Sequence, residues 1–154
     1  MKKTLMLVAT LAALAATPAV AEILFEATLT GSNEVPPNPS GAYGVASLIV
    51  NDAVTEGFYT VNFAGLEGGA QTGAHFHRAP AGANGPVVLP LALGSPLAGF
   101  WELTPEDAEA LLLGSIYVNI HTQVYPGGEI RGQLIETAVA NENSTWSEIK
   151  GLYR

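Results

Sequence analysis

The chain contains no cysteine. That excludes disulfides, thiolate metal sites and cysteine nucleophiles together. Cations are also scarce, with six Lys and Arg against fourteen Asp and Glu and a formal net charge of −8. So acidic a chain is a poor match for nucleic acid, which requires a basic face, and for anionic membrane. Beyond the N-terminus no apolar run is long enough to span a bilayer. There is no serine nucleophile motif with a base, no phosphate loop and no paired-carboxylate arrangement. Histidine occurs only three times, at His75, His77 and His121.

The one apolar run, Leu5 to Ala16, follows Lys2 and Lys3 and precedes Pro18 and Ala19-Val20-Ala21. A charged start, a short apolar segment and small residues describe a secretory signal peptide, residues 1–21, with cleavage expected after Ala21. No twin arginine is present, which favours the general secretory route, and no cysteine follows to carry a lipid. The mature chain, 22–154, keeps four basic residues against fourteen acidic ones, a net charge of −10. It is expected in the periplasm or outside the cell. Without a disulfide its core must supply the stability alone.

Alternation with period two recurs along the chain and predicts strands. These are expected over 23–30, 43–50, 56–63, 73–78, 87–93, 98–103, 115–121 and 129–136. Pro36, Pro37 and Pro39 break the 31–41 loop, and Pro90 marks its strand as an edge or bulge. One helix is predicted from Pro105 to Leu113, with Thr104 as N-cap, Glu106 and Asp107 at its positive end, and Gly114 as its stop. Many short strands with one inserted helix predict an all-β, antiparallel sandwich or barrel over 22–136. Residues 137–144 form a polar linker. Thr145 and Glu148 then have capping-box spacing and predict a short helix over 145–153, with Trp146, Ile149 and Leu152 on one side.

Four blocks resemble one family. They are Gly31-Ser32-Asn33-Glu34-Val35-Pro36-Pro37, Gly73-Ala74-His75-Phe76-His77, Gly82-Ala83-Asn84-Gly85-Pro86-Val87-Val88, and Tyr117-Val118-Asn119-Ile120-His121-Thr122 followed by Pro126-Gly127-Gly128-Glu129-Ile130-Arg131-Gly132-Gln133-Leu134. Their content and order resemble the CHRD domain, a module named after chordin that also occurs singly in secreted bacterial proteins. The resemblance runs from about Phe25 to Leu134. The resemblance implies an exported, immunoglobulin-like or superoxide-dismutase-like β-sandwich and no particular reaction; in chordin the module belongs to an extracellular binding protein.

His75 and His77 are two apart on one strand and share a face, roughly 6–7 Å apart at Cα. His121 arrives on the polar phase of another strand. Three neutral imidazoles without thiolates suit copper or zinc and leave a coordination position open. The competing reading makes them polar strand residues bonded to carboxylates or backbone. Glu34 is a candidate to accept an imidazole N–H or to be a fourth ligand, or else closes its own loop by bonding backbone amides. Glu129 and Arg131 are expected to pair across strands; alternatively Arg131, or Arg78, draws an anion toward the metal. Asn119 and Gln133 are weaker candidates to orient ligands, and Tyr43, Tyr117 and Tyr125 read equally well as packing residues.

The histidine set is similar, by analogy of fold and ligands, to the copper site of copper/zinc superoxide dismutases. Three histidines without a disulfide fit a copper-only enzyme better, acting on a small anionic substrate such as superoxide. The set is also similar to the zinc site of carbonic-anhydrase type, which supports hydratase or hydrolase chemistry. The rival class is a non-catalytic extracellular module that presents its Pro-rich loop, its 79–86 loop and its terminal helix to a protein or polymer.

Overall fold

The structure is a computed structural model and is described for residues 22–137. The predicted leader, 1–21, and the predicted helix over 145–153 lie outside the described residues. Nine strands and one helix follow in order: β1 Glu22–Thr30, β2 Tyr43–Asn51, β3 Glu56–Ala64, β4 Gln71–Arg78, β5 Val87–Pro90, β6 Leu97–Glu102, α1 Pro105–Leu112, β7 Ile116–Thr122, β8 Ile130–Gln133 and β9 Ile135–Thr137. A 3-10 turn, Gly31–Asn33, leads out of β1. No helix among the described residues is long and apolar enough to cross a membrane.

All strand pairs are antiparallel. They form one nearly closed path, β5-β4-β7-β8-β1-β2-β3-β6, with β9 also on β1. β8 and β1 share a single paired position, Arg131 with Thr30. The path folds over at that weak seam and its two halves pack face to face. Phe76 of β4 stacks on Trp101 of β6 at 5.2 Å and meets Tyr59 of β3 edge-on at 5.5 Å. The antiparallel all-β architecture expected from the alternation is therefore present.

The inward phase of each strand is apolar, as the period requires. Phe25 and Leu29 of β1, Leu48 of β2, Val61 of β3, Phe76 of β4, Ile116, Val118 and Ile120 of β7 and Ile130 of β8 have no exposed surface. Each such side chain contributes roughly 1.5–3 kcal/mol on leaving water, and that burial stands in for the missing disulfides.

Two boundaries differ from the expected ones for clear reasons. β5 ends at Pro90, an edge-strand proline paired with His75, and a last bond from the Leu91 N–H to the Ala74 carbonyl at 2.8 Å closes it before the turn. The last strand is two strands, because Leu134 bonds back to the Ile116 carbonyl and the chain changes partner from β7 to β1. Helix α1 starts as predicted: Thr104 Oγ1 accepts from the Asp107 N–H at 3.2 Å and donates to Asp107 Oδ2 at 2.8 Å. Asp107 also holds Arg78 at 3.1 Å, which fastens the helix to the end of β4.

Candidate metal centre

β4 and β7 lie side by side and turn their second face away from the core. The register sets His75 opposite Asn119, His77 opposite Tyr117 and Gly73 opposite His121. His121 is therefore a diagonal neighbour of His75. A bulge between Gln71 and Gly73 ends the regular pairing beside it. Gly73 leaves space here: a Cβ at that position would crowd His75 Cε1 at 3.0 Å and touch His121 Cδ2 at 3.7 Å. The missing side chain is the room in which the rings meet.

The three rings converge. Their centroids are 5.5 Å apart for His75 and His77, 5.0 Å for His75 and His121, and 6.0 Å for His77 and His121. One nitrogen of each lies within 4.8 Å of one of each of the others. An ion with bonds of about 2.0–2.1 Å would hold its ligand nitrogens roughly 3.3–3.5 Å apart, so modest side-chain rotation closes the set.

Hydrogen bonds orient two of the rings. His77 Nδ1 lies 3.0 Å from the Gly85 carbonyl and His121 Nδ1 lies 3.0 Å from the Pro126 carbonyl. A carbonyl only accepts, so both Nδ1 atoms carry the proton and both Nε2 atoms carry a lone pair. Those Nε2 atoms are buried without a partner, and so is His75 Nδ1. Buried polar atoms rarely go unsatisfied, and here three face one another. Burial holds all three imidazoles below the ordinary histidine value, with the neighbouring His121 and His77 rings adding to the effect at His75. They are neutral at pH 7, which is the ligand form. The carbonyl bonds work against that lowering at His77 and His121 but do not reverse it.

His77 is also braced from the side. Its ring lies flat on Tyr117, centroids 4.8 Å apart and 6° from parallel. The Arg131 guanidinium lies 3.4 Å over the same tyrosine ring. β7 runs between β4 and β8, so Tyr117 is held between the imidazole and the cation. Arg131 is only 2% exposed. Its Nη1 donates to Asn84 Oδ1 at 3.2 Å and its Nη2 to the Ala83 carbonyl at 2.8 Å. The next residue, Gly85, donates from its N–H to the Tyr117 hydroxyl at 3.2 Å and accepts from His77. The 83–85 segment thus ties arginine, tyrosine and histidine into one unit.

The other candidates are placed differently from expectation. Glu34 contacts no imidazole. It is buried, accepts from Asn119 Nδ2 at 3.4 Å through Oε2, and leaves Oε1 without a partner. Burial pushes its carboxyl up to about 7, against the opposing pull of the Arg131 charge. Glu129 does not pair with Arg131. It is fully buried and accepts four bonds, from the Glu67 and Gly68 N–H groups at 2.6 and 3.0 Å, Thr122 Oγ1 at 2.7 Å and Ser40 Oγ at 2.8 Å. Burial alone would raise its carboxyl, but these donors outweigh that and hold it below the usual range. Arg78 is occupied by Asp107. Gln133 donates to the Ala79 and Gly114 carbonyls at 3.0 and 2.7 Å, and Asn119 to the Gly127 carbonyl at 3.3 Å. Both shape loops, and neither makes a hydrogen bond to a histidine. Tyr43 is largely exposed, so it is not a packing residue. Arg131, Gln133 and Glu34 line a cleft of about 560 Å³ beside the histidines' layer, walled by Ser32, Asn33 and Gly82.

The sequence marks neither Gly73 nor Gly85 as part of the site, and Tyr117 reads there equally well as a packing residue. The signal for Tyr117 was present, since it shares the polar phase of β7 with Asn119 and His121. Its pairing with His77 becomes visible only with the β4–β7 register.

Fold and site together define an all-β module with a convergent trio of imidazoles on the outer face of one layer. The CHRD domain family model matches residues 25–134, and the chain belongs to that family. No curated protein and no solved structure matches the chain.

Proposed function

We propose that this CHRD-family chain is an exported module that holds a copper ion on His75, His77 and His121. The observation that supports the reading is the set of three buried, unpartnered nitrogens facing one another. A mixed set of one Nδ1 and two Nε2 atoms, all neutral and free of thiolate, suits Cu(II) and Zn(II). Copper bound there would supply one-electron chemistry, and superoxide dismutation by a copper-only site is the reaction we assign as the candidate activity.

The chain's own groups have definite parts in this proposal. The Gly85 and Pro126 carbonyls hold protons at His77 Nδ1 and His121 Nδ1 and so fix the tautomers that offer Nε2. Tyr117 limits rotation of the His77 ring. The exposed sides of His75 and His121 leave a route for a small substrate, since neither residue is fully buried. Glu34 Oε1 is able to hold a proton near neutral pH on the same layer.

A second reading has its own support. The two arginines that would steer superoxide are both engaged, Arg78 with Asp107 and Arg131 inside the loop anchor. Without a steering cation an acidic protein meets an anion slowly. A non-catalytic extracellular module whose copper or zinc only braces the fold accommodates that arrangement.

Metal analysis of untagged protein, followed by copper and zinc titration, tests the centre. One copper per chain is expected, with uptake lost in the His75→Ala/His77→Ala/His121→Ala variant while its circular dichroism is kept. Folded wild-type protein that takes up neither metal at low micromolar concentration ends the proposal. Superoxide removal by the copper-loaded form, absent in the triple variant, separates the enzyme from the braced module. Preference for zinc with hydratase or hydrolase activity would identify the other ion.

A further inference from the structure

The outer face of the second layer carries two parallel rows of side chains. Leu24 of β1, Ile49 of β2, Phe58 of β3 and Phe100 of β6 are in register and form an apolar row across four strands. Ile49 and Phe58 are each 39% exposed and Phe100 is 81% exposed. The Phe58 and Phe100 rings meet edge-on at 5.2 Å. Beside this row, two residues along each strand, run Glu22, Asn51, Glu56 and Glu102. Glu56 and Glu102 are directly paired. Like charges in that position destabilise a sheet unless a cation joins them. The face therefore fits an occupant with an apolar stripe and a basic flank.

The same chain carries such a segment. β9 ends at Thr137, in register with Leu24, the first member of the apolar row. Residues 138–154 follow. The capping box predicts a helix over 145–153 with Trp146, Ile149 and Leu152 on one side. At about 3.6 residues per turn, Lys150 and Arg154 fall together along the border of that stripe. Two of the six basic residues of the sequence thus fall in this short tail.

The lengths agree as well. A nine-residue helix is about 14 Å long, and three strand spacings from β1 to β6 come to about 14 Å. Seven linking residues, 138–144, reach roughly 23–25 Å when extended. That is more than the about 19 Å from β9 to β6.

We propose that residues 145–153 lie across this face as a helix. Trp146, Ile149 and Leu152 cover the Leu24–Ile49–Phe58–Phe100 row, and Lys150 and Arg154 lie over Glu22, Glu56 and Glu102. The metal centre is on the other layer, so the two proposals stand or fall separately.

Trp146 reports on this directly. The other tryptophan, Trp101, is 3% exposed, and the difference between wild type and Trp146→Phe isolates the signal of Trp146. Acrylamide quenching of Trp146 in the mature chain is expected to be several-fold weaker than in a free peptide of residues 138–154. It should rise to the peptide's value in Phe100→Lys and part of the way in Glu102→Lys, with near-ultraviolet dichroism of the core kept. Trp146 as accessible as in the peptide overturns the proposal. So does protection that survives Phe100→Lys, which would place the tail elsewhere. A dimer by light scattering that Phe100→Lys dissociates would give the row to a second copy and overturn it too.

Discussion

Glu34 and Glu129 are carboxylates of one chain driven in opposite directions by their surroundings. Both are buried, but Glu129 faces four donors whereas Glu34 faces one long amide contact. The pH consequences have opposite signs. Glu34 rises from 4.5 to about 7 in the folded chain. Between those values the folded state binds the extra proton, so the stability Glu34 contributes is full below about 4.5 and is lost as pH rises through about 7. Glu129 is held low, so its contribution is full above the ordinary carboxylate value and is lost as pH falls through its depressed one. Glu34→Gln removes the cost of ionising a buried group. Urea melts of the variant should show a gain on the order of 2 kcal/mol over wild type at pH 8 and little difference at pH 5. No gain at pH 8 would mean that Glu34 is ionised there without penalty. The three histidines act with Glu129: each is depressed, so each costs stability as pH falls below the ordinary histidine range.

The segment Ala83–Gly85 decides how rigidly the His77 side of the centre is held. Gly85 carries one contact to His77 and one to Tyr117, and a Cβ on it would overlap the Arg78 carbonyl oxygen. Gly85→Ala therefore moves the loop without touching an imidazole. If the centre holds copper as proposed, its affinity, measured by competition with a chelator, should fall about 10–100-fold, with the strand signature in circular dichroism unchanged. Unaltered affinity would show that the loop anchor is dispensable. Such contacts mark where sequence reading stopped. Alternation is legible because the period of a strand is local: Phe25, Ala27 and Leu29 share one phase of β1, Tyr59 and Val61 one phase of β3, and all five are buried. It also placed His75, His77 and His121 on outward phases, and the Thr104 cap was legible from four residues. The Glu129 clamp joins Ser40, Glu67, Gly68 and Thr122, and the Arg131 anchor joins residues 83, 84 and 117. Tyr117 and Thr122 lie on the adjoining β7, but Ser40, Glu67, Gly68 and residues 83 and 84 come from loops far away in sequence, and no periodicity announces them. Cross-strand pairing was a fair expectation for Glu129 and Arg131, and burial with loop backbone is what replaced it.

At the scale of the whole molecule, charge and topology set the behaviour. The chain has six basic residues against fourteen acidic ones, and Arg78 and Arg131 are already engaged. If copper-loaded protein removes superoxide, the rate should rise, by about twofold or more, from low salt to physiological ionic strength, as screening weakens the repulsion. Pulse radiolysis across that range checks it, and a rate that falls with salt would reveal a steering field absent from the arrangement of Arg78 and Arg131. Topology acts earlier, while the chain is being made. β1 takes its flanking partners from β8 and β9, more than a hundred residues later, at Thr30 with Arg131 and Leu24 with Thr137. The opening strand has no complete bed until the closing strands arrive, and pairings so distant in sequence form slowly. A polypeptide whose first segment is flanked on one side by its next strand and on the other by its last ones reaches its final shape only when the far end of the domain is in place.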